Sequence, residues 1–141
     1  MSIDIGNIVL SLQTAILFLL ILGLPLVRRK VDKVSLIRHG YLTVLALILH
    51  SILILIGMIR SFATSFGTFS ELTLFQSVIV WSHVILGSTA EVLGAILVFS
   101  WVLSSPSKMR CMKMKRWMMP TFIIWVISLL NGALVHLLGI I

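Results

Sequence analysis

Charged side chains are scarce in this chain. Eleven Lys and Arg and four Asp and Glu make up 11% of its 141 residues, whereas 60% of the residues are hydrophobic. A soluble domain has about 25% charged and about 45–50% apolar residues. The composition therefore excludes an ordinary soluble fold and predicts an integral membrane protein. The length leaves room for one helical bundle and no additional soluble domain.

Carboxylates and thiols are almost absent, which excludes several kinds of chemistry. The acidic residues are Asp4, Asp32, Glu71 and Glu91, and the single cysteine is Cys111. One cysteine forms no intrachain disulfide. The sequence also lacks paired carboxylates, a Walker loop, a dinucleotide-binding glycine pattern and a His-Glu-x-x-His motif. We therefore expect no hydrolytic chemistry and no enzyme activity of the chain on its own.

The net charge of +7 does not indicate nucleic-acid binding, because the basic residues lie in two short clusters beside apolar runs. Such clusters are typical of membrane topology. The first contains Arg28, Arg29, Lys30, Lys33 and Arg38, and the second contains Lys108, Arg110, Lys113, Lys115 and Arg116. Only Arg60 lies elsewhere. The positive-inside rule places both clusters in the cytoplasm and both termini outside.

Four apolar runs predict four transmembrane helices in a single domain, 1–141. The expected spans are about 8–27, 39–59, 78–103 and 117–141. At about 1.5 Å per residue, each is long enough to cross a hydrocarbon core about 30 Å thick. We expect the first run to be retained, because no basic residue precedes it. The short connections favour an all-α, up-down-up-down four-helix bundle.

Three of the predicted helices each carry one histidine in the middle or outer half of the membrane. Helix rise places His83 and His136 about 10 Å outward of the midplane and His50 close to it. Imidazoles on facing helices commonly hold haem in a bundle. We predict His83 and His136 as axial ligands of a b-type haem, with His50 as a substitute. Interhelical hydrogen bonds or proton handling are the alternatives, and His39 is expected to be an interfacial side chain.

Glu91 is an acidic residue inside a predicted span. An ionised carboxylate is costly there, so we expect it to be protonated or hydrogen-bonded to a partner such as His50 or Asn131. Its functional interpretations are a proton relay, or contact with a quinone or haem. Asn131, at a similar depth, is assigned the same role of proton or quinone contact. The structural interpretation is a hydrogen bond between helices.

The second basic cluster is also rich in sulfur, with Cys111, Met112 and Met114 among its residues. Thiol and thioether ligands suit Cu(I). The interleaved basic residues would repel a cation, however, and methionine is also an ordinary flexible apolar residue. Copper binding at these three residues is therefore a secondary prediction.

Short motifs in this sequence resemble those of a known family. They are Trp81-Ser82-His83, the second basic cluster, Arg116-Trp117, Pro120 and Trp125, with His39 and Leu42 at the start of the second span. In these motifs the chain is similar, over about 100 residues, to the DUF420 family of small four-helix bacterial and archaeal membrane proteins. Members are often encoded near terminal-oxidase and oxidase-assembly genes. The resemblance therefore implies a prokaryotic respiratory chain.

The sequence also departs from the family pattern. Cys111 and Arg60 stand at about the places where the family has histidines, and His50 and His136 are not family positions. Residues and resemblance together predict a b-type haem-binding subunit or assembly partner of a terminal oxidase or quinol-oxidising complex. A haem-free accessory subunit and a copper-handling assembly factor are the alternatives. We expect a multi-pass protein of the plasma membrane, with lipid and a larger complex or a second copy as partners.

Overall fold

Four long helices make up most of the computed structural model, which describes residues 5–28, 33–59, 63, 71–103 and 115–140. The helices are α1 (Ile5–Arg28), α2 (Lys33–Leu53), α3 (Leu74–Val102) and α4 (Lys115–Leu137). A π-helical turn, Ile54–Met58, continues α2. The described part of the chain contains no strand, and the predicted all-α four-helix bundle is confirmed there.

Contacts between neighbouring helices establish the up-down-up-down order. Helices α1 and α2 meet at Gly23–His39 and Val9–Gly57, α2 and α3 meet at Gly40–Trp101 and Leu47–Gly94, and α3 and α4 meet at Gly132–His83. In each helix pair, a residue near the start of one helix meets a residue near the end of the other. The start of α1 and the end of α4 therefore share one end of the bundle, here called the termini end. The opposite end is called the basic end.

The helices have the length and surface of membrane-spanning segments. Their candidate spans are Gly6–Leu26, Val34–Gly57, Leu74–Val102 and Arg116–Leu137. Large apolar side chains cover the outside, and Phe18, Leu55 and Phe99 are each more than 60% exposed. The chain therefore has the architecture of a multi-pass helical membrane protein. Residues 29–32 and 104–114 lie outside the described residues, and the cytoplasmic location of the basic end stays a prediction.

Helix α3 begins earlier than the apolar run predicted, because a polar cap starts it. The Gln76 backbone N–H donates to Thr73 Oγ1 at 3.3 Å, and the Thr73 N–H donates to Gln76 Oε1 at 3.0 Å. This capping box satisfies two backbone donors that the first turn leaves free. Hydropathy does not register such a cap, so the predicted start at 78 came too late.

Helix α4 ends earlier than predicted, at Leu137 instead of 141. Gly139 has a positive φ of 61°, its N–H donates to the His136 carbonyl, and the Ile140 N–H donates to the Val135 carbonyl. This is a Schellman motif, in which glycine adopts the left-handed conformation that ends a helix.

Most contact between helices lies within two pairs, α1 with α2 and α3 with α4. Contact between α2 and α3 is less extensive, and α1 and α4 touch only sparsely. The larger buried apolar cluster fills the middle of the bundle and consists of Ile16, Ala46, Leu47, Ala90, Val98 and Trp125. The sparse α1–α4 contact leaves space between the pairs toward the termini end.

Candidate functional site

A cavity of about 370 Å³ lies in the half of the bundle nearest the termini end, and all four helices line it. Its lining on α4 runs from Trp125 to His136, about 16 Å of helix at 1.5 Å per residue. The volume lies in the range of small-molecule sites, about 300–1,000 Å³. His50, His83 and His136 all line this one cavity. The structure thus brings together the three histidines that the sequence predicted as ligands.

His50 lies at the inner end of the cavity and is paired with Glu91. Nδ1 of His50 is 2.6 Å from Oε2 of Glu91, and the Ser51 hydroxyl donates to Oε1. The imidazole is 5% exposed and lies 4.5 Å, centre to centre, from the ring of Trp125. Because the carboxylate accepts from Nδ1, Nε2 of a neutral His50 keeps its lone pair. Of the two partners suggested for Glu91, the structure shows His50.

His83 is oriented by the backbone of α4. Its Nδ1 is 2.8 Å from the carbonyl oxygen of Ser128, and because a carbonyl only accepts, Nδ1 carries the proton. A Cβ built on Gly132 would lie 2.8 Å from Cε1 of His83, so the imidazole fits only because residue 132 is glycine. Nε2 is left with its lone pair, the arrangement in which a second partner orients a ligating histidine.

His136 lies at the mouth of the cavity, where it joins α4 to α1. Its Nε2 is 3.0 Å from Oδ1 of Asn7, which makes Nε2 the donor. The ring of His83 contacts Gly132, one helical turn or about 6 Å before His136. The two histidines therefore differ in depth by about one turn, because α3 starts and α4 ends earlier than predicted.

His39 lies outside the cavity and is buried against α1, so it is not an exposed side chain, and its depth in the membrane stays a prediction. It is 7% exposed, and its Nδ1 donates to the carbonyl oxygen of Gly23 at 3.0 Å. A Cβ at Gly23 would lie 3.1 Å from this nitrogen, so the glycine allows the close approach. The side chain is buried because α2 begins at Lys33, which places His39 inside the α1–α2 contact.

Asn131 also falls outside the cavity lining. Its Nδ2 donates to the hydroxyl of Ser82 at 3.2 Å, which links α4 to α3. The structure therefore shows Asn131 in an interhelical hydrogen bond and does not bring it to Glu91. The sequence placed Asn131 and Glu91 at a similar depth, and this was wrong. Ser82 lies nine residues before Glu91 on α3, about 13 Å along the helix, so Asn131 is too far toward the termini end to meet Glu91.

Gln13 lines the cavity from α1 and was not among the predicted site residues. It is 6% exposed, and its Nε2 has no hydrogen-bond partner among the described residues. A buried donor without a partner costs about 1–3 kcal/mol. The sequence signal that could have found it is a glutamine inside an otherwise apolar span.

Histidines are the only ionisable side chains among the described residues that line the cavity. No Lys, Arg, Asp or Glu is among the lining residues that the structure describes. Across the described ranges, no group of three or more His, Cys, Asp or Glu side chains is placed to hold a metal ion. Cys111, Met112 and Met114, the predicted copper ligands, lie outside the described residues.

Comparisons with protein-family models, with curated proteins and with solved structures found no match. The resemblance to the DUF420 family therefore stays a prediction.

Proposed function

We propose that this chain is a b-type haem-binding membrane protein of a prokaryotic respiratory chain. It would act as a subunit or assembly partner of a terminal oxidase or quinol-oxidising complex. The observation that carries the proposal is the convergence of His50, His83 and His136 on one cavity. Such imidazoles, contributed by separate helices, are the usual haem ligands of helical bundles.

The donor set of the cavity fits a haem. His83 is the first ligand, because Ser128 fixes its ring and leaves Nε2 available. His136 would be the second ligand, one turn away, and its Nε2 could ligate only after losing both its hydrogen bond to Asn7 and the proton that it donates there. His50 is the substitute. Its partner Glu91 lies eight residues from His83 on α3, about 12 Å along the helix. His50 is therefore farther from His83 than His136 is.

A bound haem would supply one-electron transfer. The chain's own residues would hold and shield it. Apolar side chains such as Val80, Val84 and Leu129 form the walls of the cavity and exclude water. The hydrogen bond from His50 to Glu91 provides a place beside the cavity where a proton can be held.

The visible absorption spectrum of the purified protein, before and after haem addition, tests this proposal. We expect a Soret band in the wild-type protein and its loss or strong reduction in His83→Ala and His136→Ala. His39→Ala is the matched control, because it removes a buried histidine that does not line the cavity. The proposal is wrong if no Soret band appears after haem addition, or if His83→Ala and His39→Ala have the same effect.

A haem-free accessory subunit is the second candidate, and the hydrogen bonds of the histidines favour it. Each of the four histidines has a partner on another helix: Gly23 for His39, Glu91 for His50, Ser128 for His83 and Asn7 for His136. Each could therefore serve only to join helices. Co-purification with oxidase subunits that persists in His83→Ala, together with the absence of a Soret band, would favour this function.

A further inference from the structure

Arg38 is an exposed cation on the outer surface of the bundle, close to the basic end. It follows Val34, the first residue of its candidate span, by four residues, which is about 6 Å along the helix. A long basic side chain at such a depth extends its charged group toward the lipid headgroups while its aliphatic part stays on the apolar surface. The Arg38 guanidinium can therefore reach the headgroup level of a surrounding bilayer.

Tyr41 lies beside Arg38, and α3 holds its ring. Residues three apart are neighbours on a helix surface, with Cβ atoms about 5–6 Å apart. Tyr41 is 66% exposed, and its ring meets the ring of Trp101 edge to face, with centroids 5.7 Å apart. A Cβ on Gly40 would overlap the Trp101 indole, so the indole packs against α2 only because residue 40 is glycine. The outer face of α2 therefore presents a guanidinium next to a phenol whose ring is fixed.

The same face of α2 continues toward the middle of the bundle as an aliphatic surface. Its side chains Leu45, Ile48 and Ile52 are 46%, 51% and 44% exposed. From Arg38 and Tyr41 onward the spacing alternates between three and four residues, which keeps side chains on one face of a helix. A molecule that lies along this face meets polar groups at the basic end and hydrocarbon beyond them. A phospholipid has the same order of headgroup and acyl chain.

The charge of the basic end favours an anionic lipid. Ten basic residues and one acidic residue, Asp32, belong to the two basic clusters. Neither carboxylate that the structure describes lies there, because Glu71 precedes α3 at the termini end and Glu91 is bonded to His50. Guanidinium groups bind phosphate through two parallel hydrogen bonds. Phosphatidylcholine also carries a quaternary ammonium, which a cluster of cations repels, whereas phosphatidylglycerol has a phosphate and no cation.

We propose that Arg38 and Tyr41 form a binding site for the phosphate of an anionic phospholipid headgroup. The Arg38 guanidinium pairs with the phosphate, the Tyr41 hydroxyl donates to one of its oxygens, and an acyl chain lies along the aliphatic part of the face. Trp101 is a positioning residue, since it contacts the ring of Tyr41. The proposal goes beyond lipid contact in general, because it specifies the charge of the headgroup and the residues that bind it. It is independent of the histidine cavity and of haem.

Native mass spectrometry of the full chain, released from detergent micelles, resolves individual lipid adducts and tests the proposal. Titrations with phosphatidylglycerol and with phosphatidylcholine of the same acyl chains give a dissociation constant for the first bound molecule of each lipid. We expect tighter binding of phosphatidylglycerol in the wild-type protein. Arg38→Gln should raise its dissociation constant about fivefold, the effect of one cation beside an anionic headgroup, and bring it close to that of phosphatidylcholine.

Arg116→Gln is the matched control, because it removes the same charge from an exposed arginine at the same end of the bundle, but on α4. It should leave the dissociation constant for phosphatidylglycerol close to the wild-type value. Equal weakening by Arg38→Gln and Arg116→Gln would overturn the proposal, since the basic end would then attract anionic lipid through its total charge alone. Equal affinity of the wild-type protein for the two lipids would overturn it as well. Both arginines are exposed, so neither substitution should disturb folding.

Discussion

The hydrogen bond between His50 and Glu91 should contribute more to stability than an ordinary hydrogen bond between membrane helices. Its acceptor is a carboxylate and its length is short, 2.6 Å, as charge-assisted bonds are shorter than neutral ones. Hydrogen bonds to charged groups contribute about 1.5–3 kcal/mol. Interhelical hydrogen bonds measured in a membrane protein average about 0.6 kcal/mol and reach about 1.7 kcal/mol. We therefore expect a coupling free energy of about 2 kcal/mol between the two side chains.

A double-mutant cycle, measured by detergent-induced unfolding in mixed micelles, gives this coupling energy. His50→Phe keeps a ring against Trp125, whose centre lies 4.5 Å away, and Glu91→Met keeps the length of the carboxylate side chain. The matched control is the neutral pair Ser82–Asn131, 3.2 Å apart, for which we expect about 0.6 kcal/mol. A coupling at His50–Glu91 no larger than that of the control would refute the reasoning.

Three further substitutions have expected effects that the same unfolding assay checks. Gly132→Ala should lower the free energy of unfolding by about 1–3 kcal/mol, because its Cβ would lie 2.8 Å from Cε1 of His83; a wild-type value would contradict this packing. His39→Leu should lower the free energy of unfolding by about 1 kcal/mol, because the hydrogen bond to Gly23 is lost. An unchanged free energy of unfolding would argue against this hydrogen bond. Thr73→Ala should cost about 1 kcal/mol and speed amide hydrogen exchange in the first turn of α3; unchanged exchange there would argue against the capping box.

The helical fold could be predicted from the sequence because the bilayer permits few alternatives. Every backbone N–H and C=O group inside the hydrocarbon must be hydrogen-bonded within the protein. A long apolar run therefore predicts a helix. Helix ends follow a different physical rule. They depend on capping residues such as Thr73 and Gly139, which hydropathy does not register, and the predicted boundaries of α3 and α4 were therefore displaced.

The candidate site could be predicted only in part, because helix rise gives depth but not rotation. Depth alone placed His50, His83 and Glu91 in the region where the structure has them. Which side chains meet depends on how each helix is rotated about its axis, and this is set by packing against neighbours. Gln13 shows the result, since it lines the cavity although hydropathy and depth gave no sign of this. Asn131 shows that depth is itself only approximate, because it lies level with Ser82 instead of Glu91.

The division of the bundle into the pairs α1–α2 and α3–α4 has a consequence for biogenesis. Each pair is an antiparallel hairpin that can enter the bilayer separately, before the two hairpins associate. The cavity has walls from both hairpins, so it is complete only after they meet. A molecule held there contacts both and strengthens their association by mass action. Binding of any such molecule and maturation of the membrane fold would thereby be thermodynamically coupled.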